Sequence, residues 1–173
     1  MLKYFNNKTK TLTIPYEFNK VLKDIPNDTK IIIFDEDLNN NKYSKFNQEI
    51  KKNVFPCSLH TLTFGINFNQ EIKENVLPDS LHTLRLGFKF NQEIKENVLP
   101  CSIKKICLYA HNNLINNLPL HIEEIYIKFS ILEGYNKEVT NLPMTLKKII
   151  VDNKKYLNYI TKIPFGCDIV TKN

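Results

Sequence analysis

The residues with the most chemistry in this chain come in equivalent pairs. His60 and His82 each precede a Thr-Leu dipeptide, Cys57 and Cys101 each follow a proline, and Glu71/Glu74 is echoed by Glu93/Glu96. Two neighbouring imidazoles could hold Zn²⁺, but a structural zinc site takes four ligands and a catalytic one three plus water. The equivalent position in the following segment is Lys104, so the set stops at two histidines and no metal is expected. The cysteines Cys57, Cys101, Cys107 and Cys167 form no Cys-x-x-Cys pair, and the polar N-terminus is not a secretory signal. Free thiols are therefore expected. The glutamates are interleaved with lysine in a polar stretch and read as solubilising charge. A nucleophile elbow, a phosphate loop and a His-Glu-x-x-His pair are all missing. Without a converging acid, base and nucleophile, the chain reads as a non-enzyme that needs no cofactor.

A repeat places these groups at equivalent positions. "FNQEIKENVLP" stands at 68–78 and again, unchanged, at 90–100, with "FNQEIKKNVFP" at 46–56. Aligned on proline, "PCSLHTLTF" (56–64), "PDSLHTLRL" (78–86), "PCSIKKICL" (100–108), "PLHIEEIYI" (119–127) and "PMTLKKIIV" (143–151) share one apolar pattern. "PNDTKIIIF" (26–34) and "NNKTKTLTI" (6–14) are looser copies, and "PFGCDIVTKN" (164–173) begins another. Between these cassettes lies an aromatic-Asn pair: Phe18-Asn19, Phe46-Asn47, Phe68-Asn69, Phe90-Asn91 and Tyr135-Asn136. It drifts to His111-Asn112 with Ile115, and to Tyr156-Leu157 with Ile160. An apolar residue precedes every proline, from Ile25 to Ile163, and each is expected to point inward.

Each cassette ends in period-two alternation, the mark of a short half-buried strand. Strands are expected near 11–14, 31–34, 61–64, 83–86, 105–108, 124–127, 148–151 and 168–170. Gly65 and Gly87 follow two of them, where a bend calls for a permissive backbone. A unit of about 20–24 residues buries almost nothing alone, so the units must stack. The expected fold is a repeat solenoid over 1–173, leucine-rich-repeat-like, of about eight turns. It has one short parallel strand per turn, with loops or single helical turns on the other side. The repeated Phe fills the core column, and the buried Asn beside it pairs with backbone of its own and the next turn. The alternative for Asn is a residue that tolerates a left-handed bend. Residues 35–45, "DEDLNNNKYSK", interrupt the period as an insertion, either functional or merely tolerated.

These motifs resemble the FNIP repeat family, a leucine-rich-repeat variant of amoebae and giant viruses. Phe46-Asn47-Gln48-Glu49-Ile50, Phe68-Asn69-Gln70-Glu71-Ile72 and Phe90-Asn91-Gln92-Glu93-Ile94 carry the match, with the cassettes at 56–64 and 78–86. Many members look like substrate-recruiting ubiquitin-ligase subunits with an N-terminal F-box; no F-box is visible here, because the first repeat starts within about ten residues. The resemblance implies a protein-interaction module acting on an unknown protein partner; with no export signal in view, the expected location is the cytoplasm, or the host cytoplasm if the source is viral.

In leucine-rich repeats the strand face is the usual contact surface. Its solvent-side candidates here are Thr61, Thr63, Thr83, Arg85, Lys105, Cys107, Glu124, Tyr126 and Lys148. The alternative is a plain solvated sheet face. Tyr126 and Arg85 favour contact, since Tyr and Arg are common interface anchors. Ile33 and Ile150 are expected on the same face. A short array also has open strand edges, so a structural or end-to-end self-associating protein is a second possibility. Nucleic-acid binding is the weakest reading. The formal charge is +6, but Arg85 is the only arginine, and readers of phosphate and base edges lean on arginine. No run approaches the roughly 18 apolar residues of a membrane-spanning helix.

Overall fold

The computed structural model describes residues 4–95, 97–110, 118–129 and 138–172. The expectations placed on Glu96, His111, Asn112, Ile115, Tyr135 and Asn136 lie outside the described residues. The chain winds as a β-solenoid, and the strands among the described residues form one nine-stranded sheet in strict sequence order. They are β1 (Phe5–Asn6), β2 (Thr11–Ile14), β3 (Ile31–Phe34), β4 (Thr61–Thr63), β5 (Thr83–Arg85), β6 (Lys105–Tyr109), β7 (Glu124–Lys128), β8 (Lys148–Val151) and β9 (Asp168–Thr171). From β2 to β9 every neighbouring pair is parallel. β1, which the repeat pattern does not announce, pairs antiparallel with β2 and covers the N-terminal edge.

Register follows the repeat. Leu12, Ile32, Leu62, Leu84, Ile106, Ile125, Ile149 and Ile169 stand opposite one another in successive strands. All but Ile169 are buried, so one apolar row runs through the array. Opposite it lies an aromatic stack. Phe18, Phe46, Phe68 and Phe90 follow one another with ring centroids 6.2, 5.9 and 6.0 Å apart. Phe34 and Phe64 at the strand ends close onto this stack, 4.4 Å from Phe46 and 3.9 Å from Phe68. The Phe-Asn-x-x-Ile segments carry no helix; short 3-10 turns occur at Leu38–Asn40 and Lys154–Tyr159.

The asparagines form a ladder, though along the surface rather than inside it. The side-chain carbonyl of Asn19 accepts from the backbone N–H of Asn47 at 3.0 Å and from Gln48 Nε2 at 3.0 Å. Asn47 does the same for Asn69 and Gln70 at 2.8 and 3.1 Å, and Asn69 for Asn91 and Gln92 at 2.9 and 3.0 Å. The ladder sits outside because phenylalanine takes the inward position and its chain neighbour points away. The Gln of each motif is the second donor to the same oxygen. Asn47→Ala removes both bonds, and the amide it leaves can reach water. It is expected to cost about 1–2 kcal/mol, read as a lower urea midpoint at unchanged slope.

Serine in the cassette is a second ladder. Ser80 Oγ donates to the carbonyl of Leu59 at 2.6 Å, and Ser102 Oγ to that of Leu81 at 2.7 Å. Thr145 Oγ1 reaches the equivalent carbonyl of Ile122 at 3.5 Å and also that of Leu120. A left-handed residue marks the corner before proline in the long turns: Asn53, Asn75 and Asn97 have φ of 60, 59 and 67°. Asparagine is among the few non-glycine residues that tolerate this region. Repeated glutamates are tied across turns, with Lys73 Nζ 2.5 Å from Glu49 and Lys95 Nζ 3.5 Å from Glu71. Both pairs are exposed and contribute little to stability.

Two expectations need correction. Gly65 and Gly87 do not serve a left-handed bend, since Gly166 is the only described glycine with positive φ. They are required by close approach: a Cβ on Gly87 would lie 2.1 Å from the carbonyl oxygen of Gly65, and one on Gly65 would lie 2.2 Å from Ser44 Cβ. The residue before the last proline, Ile163, does not point inward and is 47% exposed. No described turn lies beyond it to cover it, unlike Leu77, Leu99, Leu118 and Leu142.

The insertion is anchored to the solenoid. Asp37 and Lys42 form a β-bridge, and the Asp37 carboxylate accepts from Asn40 Nδ2 at 2.8 Å. That hydrogen bond holds its pKa below the usual value. Glu36 accepts from the backbone of Ile66 at 2.6 Å, and Ser44 is fully buried beneath Gly65.

Candidate binding face

Alternation along each strand sends one set of side chains into the core and leaves the other facing out. Register then aligns the outward set in columns, with strands about 4.8 Å apart. The first column runs Ile31, Thr61, Thr83, Lys105, Glu124, Lys148 and Asp168. The second runs Ile33, Thr63, Arg85, Cys107, Tyr126, Ile150 and Val170. Arg85 and Lys105 are exposed, while Thr61, Thr63, Thr83, Glu124, Tyr126 and Lys148 are half-buried. Ile33 is exposed and Ile150 half-buried, so the face is partly apolar.

Cys107 departs from expectation. It is only 4% exposed and is not available as a contact residue. Burial pushes its thiol pKa up, while Lys128, Arg85 and Lys172 pull it the other way. Its neighbours in register, Arg85 and Tyr126, are far larger and cover it. The exposed thiols are Cys57 and Cys101, at the proline corners.

A third column was not foreseen. β6 and β7 run one residue further than the repeat pattern suggests, which sets Tyr109 opposite Lys128. Asp152 and Lys172 continue it, as the Asp152 carboxylate accepts from the backbone of Phe129 at 3.1 Å and the Lys172 N–H donates to Val151. Tyr109 meets Phe88 edge-on at 5.1 Å, and burial pushes its phenol up to about 12. Lys128 Nζ lies 5.5 Å from the Tyr109 ring and 5.8 Å from Tyr126; Lys172 Nζ lies 4.6 Å from Tyr126. The sequence carried one signal for this column, the continued alternation in "KICLY" and "EIYIK".

The face therefore has two halves. From β2 to β4 it is uncharged, made of threonine and isoleucine. From β5 to β9 it is charged and aromatic. In the first column the charges cancel in sequence, Lys105 lying 3.1 Å from Glu124.

The histidines stack face to face, 4.1 Å between centroids and 1° between planes. Among the described residues no group of three or more His, Cys, Asp or Glu could hold a metal ion. Burial, then the charges of His82 and Lys30, hold the His60 pKa below its ordinary value. The unfolded chain therefore takes up this proton first as pH falls. Stability present above the ordinary histidine range is lost as pH drops through it. Between about pH 7 and 5 the melting temperature is expected to fall, and to fall less in His60→Gln.

Residues 46–89 match the FNIP repeat. Over 90% of its length the chain is similar to CroV588, a giant-virus protein described as having a novel circular LRR structure, at 33% identity and a TM-score of 0.64. The match covers 22% of that protein, so the chain spans about a fifth of its length. No curated protein matches the chain. No helix among the described residues is long and apolar enough to cross a membrane.

Proposed function

We propose that this chain, whose central turns are FNIP repeats, is a non-enzymatic module that binds a partner protein across its strand face. The observation that supports this is the face itself. Two registered columns of Thr, Arg, Lys, Glu and Tyr, with isoleucines between, run across the parallel strands. A surface of this kind suits an interface, since Tyr126 and Arg85 sit near its centre and both types dominate binding energy. The site of action is the cytoplasm. The test is affinity capture from the source cell with three baits. Capture should be lost with Arg85→Glu/Tyr126→Ala, with Thr63→Arg, or with both, at unchanged circular dichroism. A partner retained by both variants would sink the reading.

A second reading is supported by the C-terminal end. Among the described residues nothing pairs with the outer side of β9, and Phe165 beside it is 97% exposed. Ile163 and Val170 are also exposed there, whereas β1 covers the opposite edge. An uncovered strand edge is a template for pairing, and a circular relative spans several times this length. Self-association through β9 should appear as concentration-dependent sedimentation, abolished by Val170→Lys. A strict monomer at all concentrations would remove this reading.

A further inference from the structure

The docking half of the face can be narrowed by asking which of its charges are already satisfied. Lys105 is paired with Glu124, and off the face Lys104 and Lys147 share Glu123. Arg85, Lys128 and Lys172 have no ion-pair partner among the described residues. All three nevertheless converge. Arg85 stands opposite Cys107, which stands opposite Tyr126 in the next strand, and Lys128 and Lys172 both stand over Tyr126.

The aromatic rings explain how the two lysines are kept close. Tyr109 and Tyr126 offer their π faces to the ammonium groups, which favours the cations without neutralising them. An arriving carboxylate therefore breaks no existing ion pair. The ring also restrains the lysine stems, lowering the ordering cost of binding. Acids stand on this half too: Glu124 is paired with Lys105, and Asp168 is exposed in the first column. Asp152, between Lys128 and Lys172 in the third, spends Oδ2 on the backbone of Phe129 and has a buried Oδ1 without a partner among the described residues. From β5 to β9 the span is four strand spacings, roughly 19 Å. About six residues of extended chain cover it.

We propose that the β5–β9 half of the strand face recognises an acidic peptide segment of its protein partner, whose carboxylates settle among Arg85, Lys128 and Lys172 around Tyr126. This rests on the docking reading above and names the chemistry of the partner. It also assigns the uncharged β2–β4 half a secondary part, as a neutral shoulder beside the anchor.

The test uses the full chain and a fluorescein-labelled decaglutamate peptide, with decaglutamine and a single-stranded oligothymidylate as competitors. Decaglutamate should bind and weaken steeply between about 0.05 and 0.5 M salt. The triple variant Arg85→Gln/Lys128→Gln/Lys172→Gln should weaken binding at least tenfold. A matched triple elsewhere, Lys20→Gln/Lys51→Gln/Lys52→Gln, removes the same charge and should change it less than twofold. Should the first triple fold poorly, Lys172→Gln alone, at an exposed position, should still weaken binding about threefold. Equal loss in both triples would overturn the proposal in favour of diffuse charge. Failure of decaglutamate to bind would overturn it outright, and tighter binding of oligothymidylate at the same residues would replace the peptide with nucleic acid. If the acidic peptide fails while Thr63→Arg alone still releases the captured partner, the docking reading stands and only its chemistry is wrong.

Discussion

Phe68→Ala is expected to cost about 3–5 kcal/mol, the largest effect of any single truncation in the array. The ring is fully buried, 3.9 Å from Phe64 and 5.9 and 6.0 Å from Phe46 and Phe90 on either side. In a solenoid each unit is held by its neighbours, so an interior loss weakens two interfaces together. The cavity would also sit between turns whose backbones are tied by the Asn and Ser ladders and so cannot collapse freely. Phe18→Ala is the comparison. Phe18 is half-buried near the end of the stack, and its one recorded stacking partner is Phe46 at 6.2 Å. Urea denaturation of the two variants should show Phe68→Ala losing at least twice as much. Equal losses would mean that the stack carries no load between turns.

Gly87→Ala is the second large effect, and it acts by crowding. The added Cβ would stand 2.1 Å from the carbonyl oxygen of Gly65, 2.7 Å from its carbonyl carbon and 2.9 Å from Ile66 Cα. All three obstacles are backbone, so no side chain can rotate away. Overpacking costs about 1–3 kcal/mol and occasionally more, and the upper end is expected here because two turns must separate. Gly166→Ala separates this cause from backbone freedom. Gly166 has φ of +74° and open space around it, so alanine there meets strain but no collision. A left-handed residue costs roughly 1–2 kcal/mol. Melting temperatures should therefore fall further for Gly87→Ala than for Gly166→Ala. The reverse order would return Gly87 to the role of a flexible bend.

Both predictions show how far a repeat can be read. The Phe column was legible because equivalent residues in stacked turns must meet, whatever the details of the turn. That Asn19, Asn47 and Asn69 pair with the backbone of the next turn was legible for the same reason, but not their exposure. Whether Asn points in or out depends on which of two adjacent residues takes the core, and the spacing alone did not decide that. His60 and His82 were placed one above the other by the same argument. Arg85 and Tyr126 were placed on one face, with Cys107 between them.

What the sequence determined by itself is everything that recurs: the turn, its strand, the apolar row and the Phe and Asn ladders. Each of these depends on a residue meeting its own copy one turn away, and the period states that directly. The tertiary structure alone decided what differs between turns. Large neighbours bury Cys107, longer strands add Tyr109 and Lys128 to the face, and a second glycine's carbonyl dictates Gly87. Those contacts join unlike residues across turns, and a pattern of repeats holds no record of the distances between unlike partners.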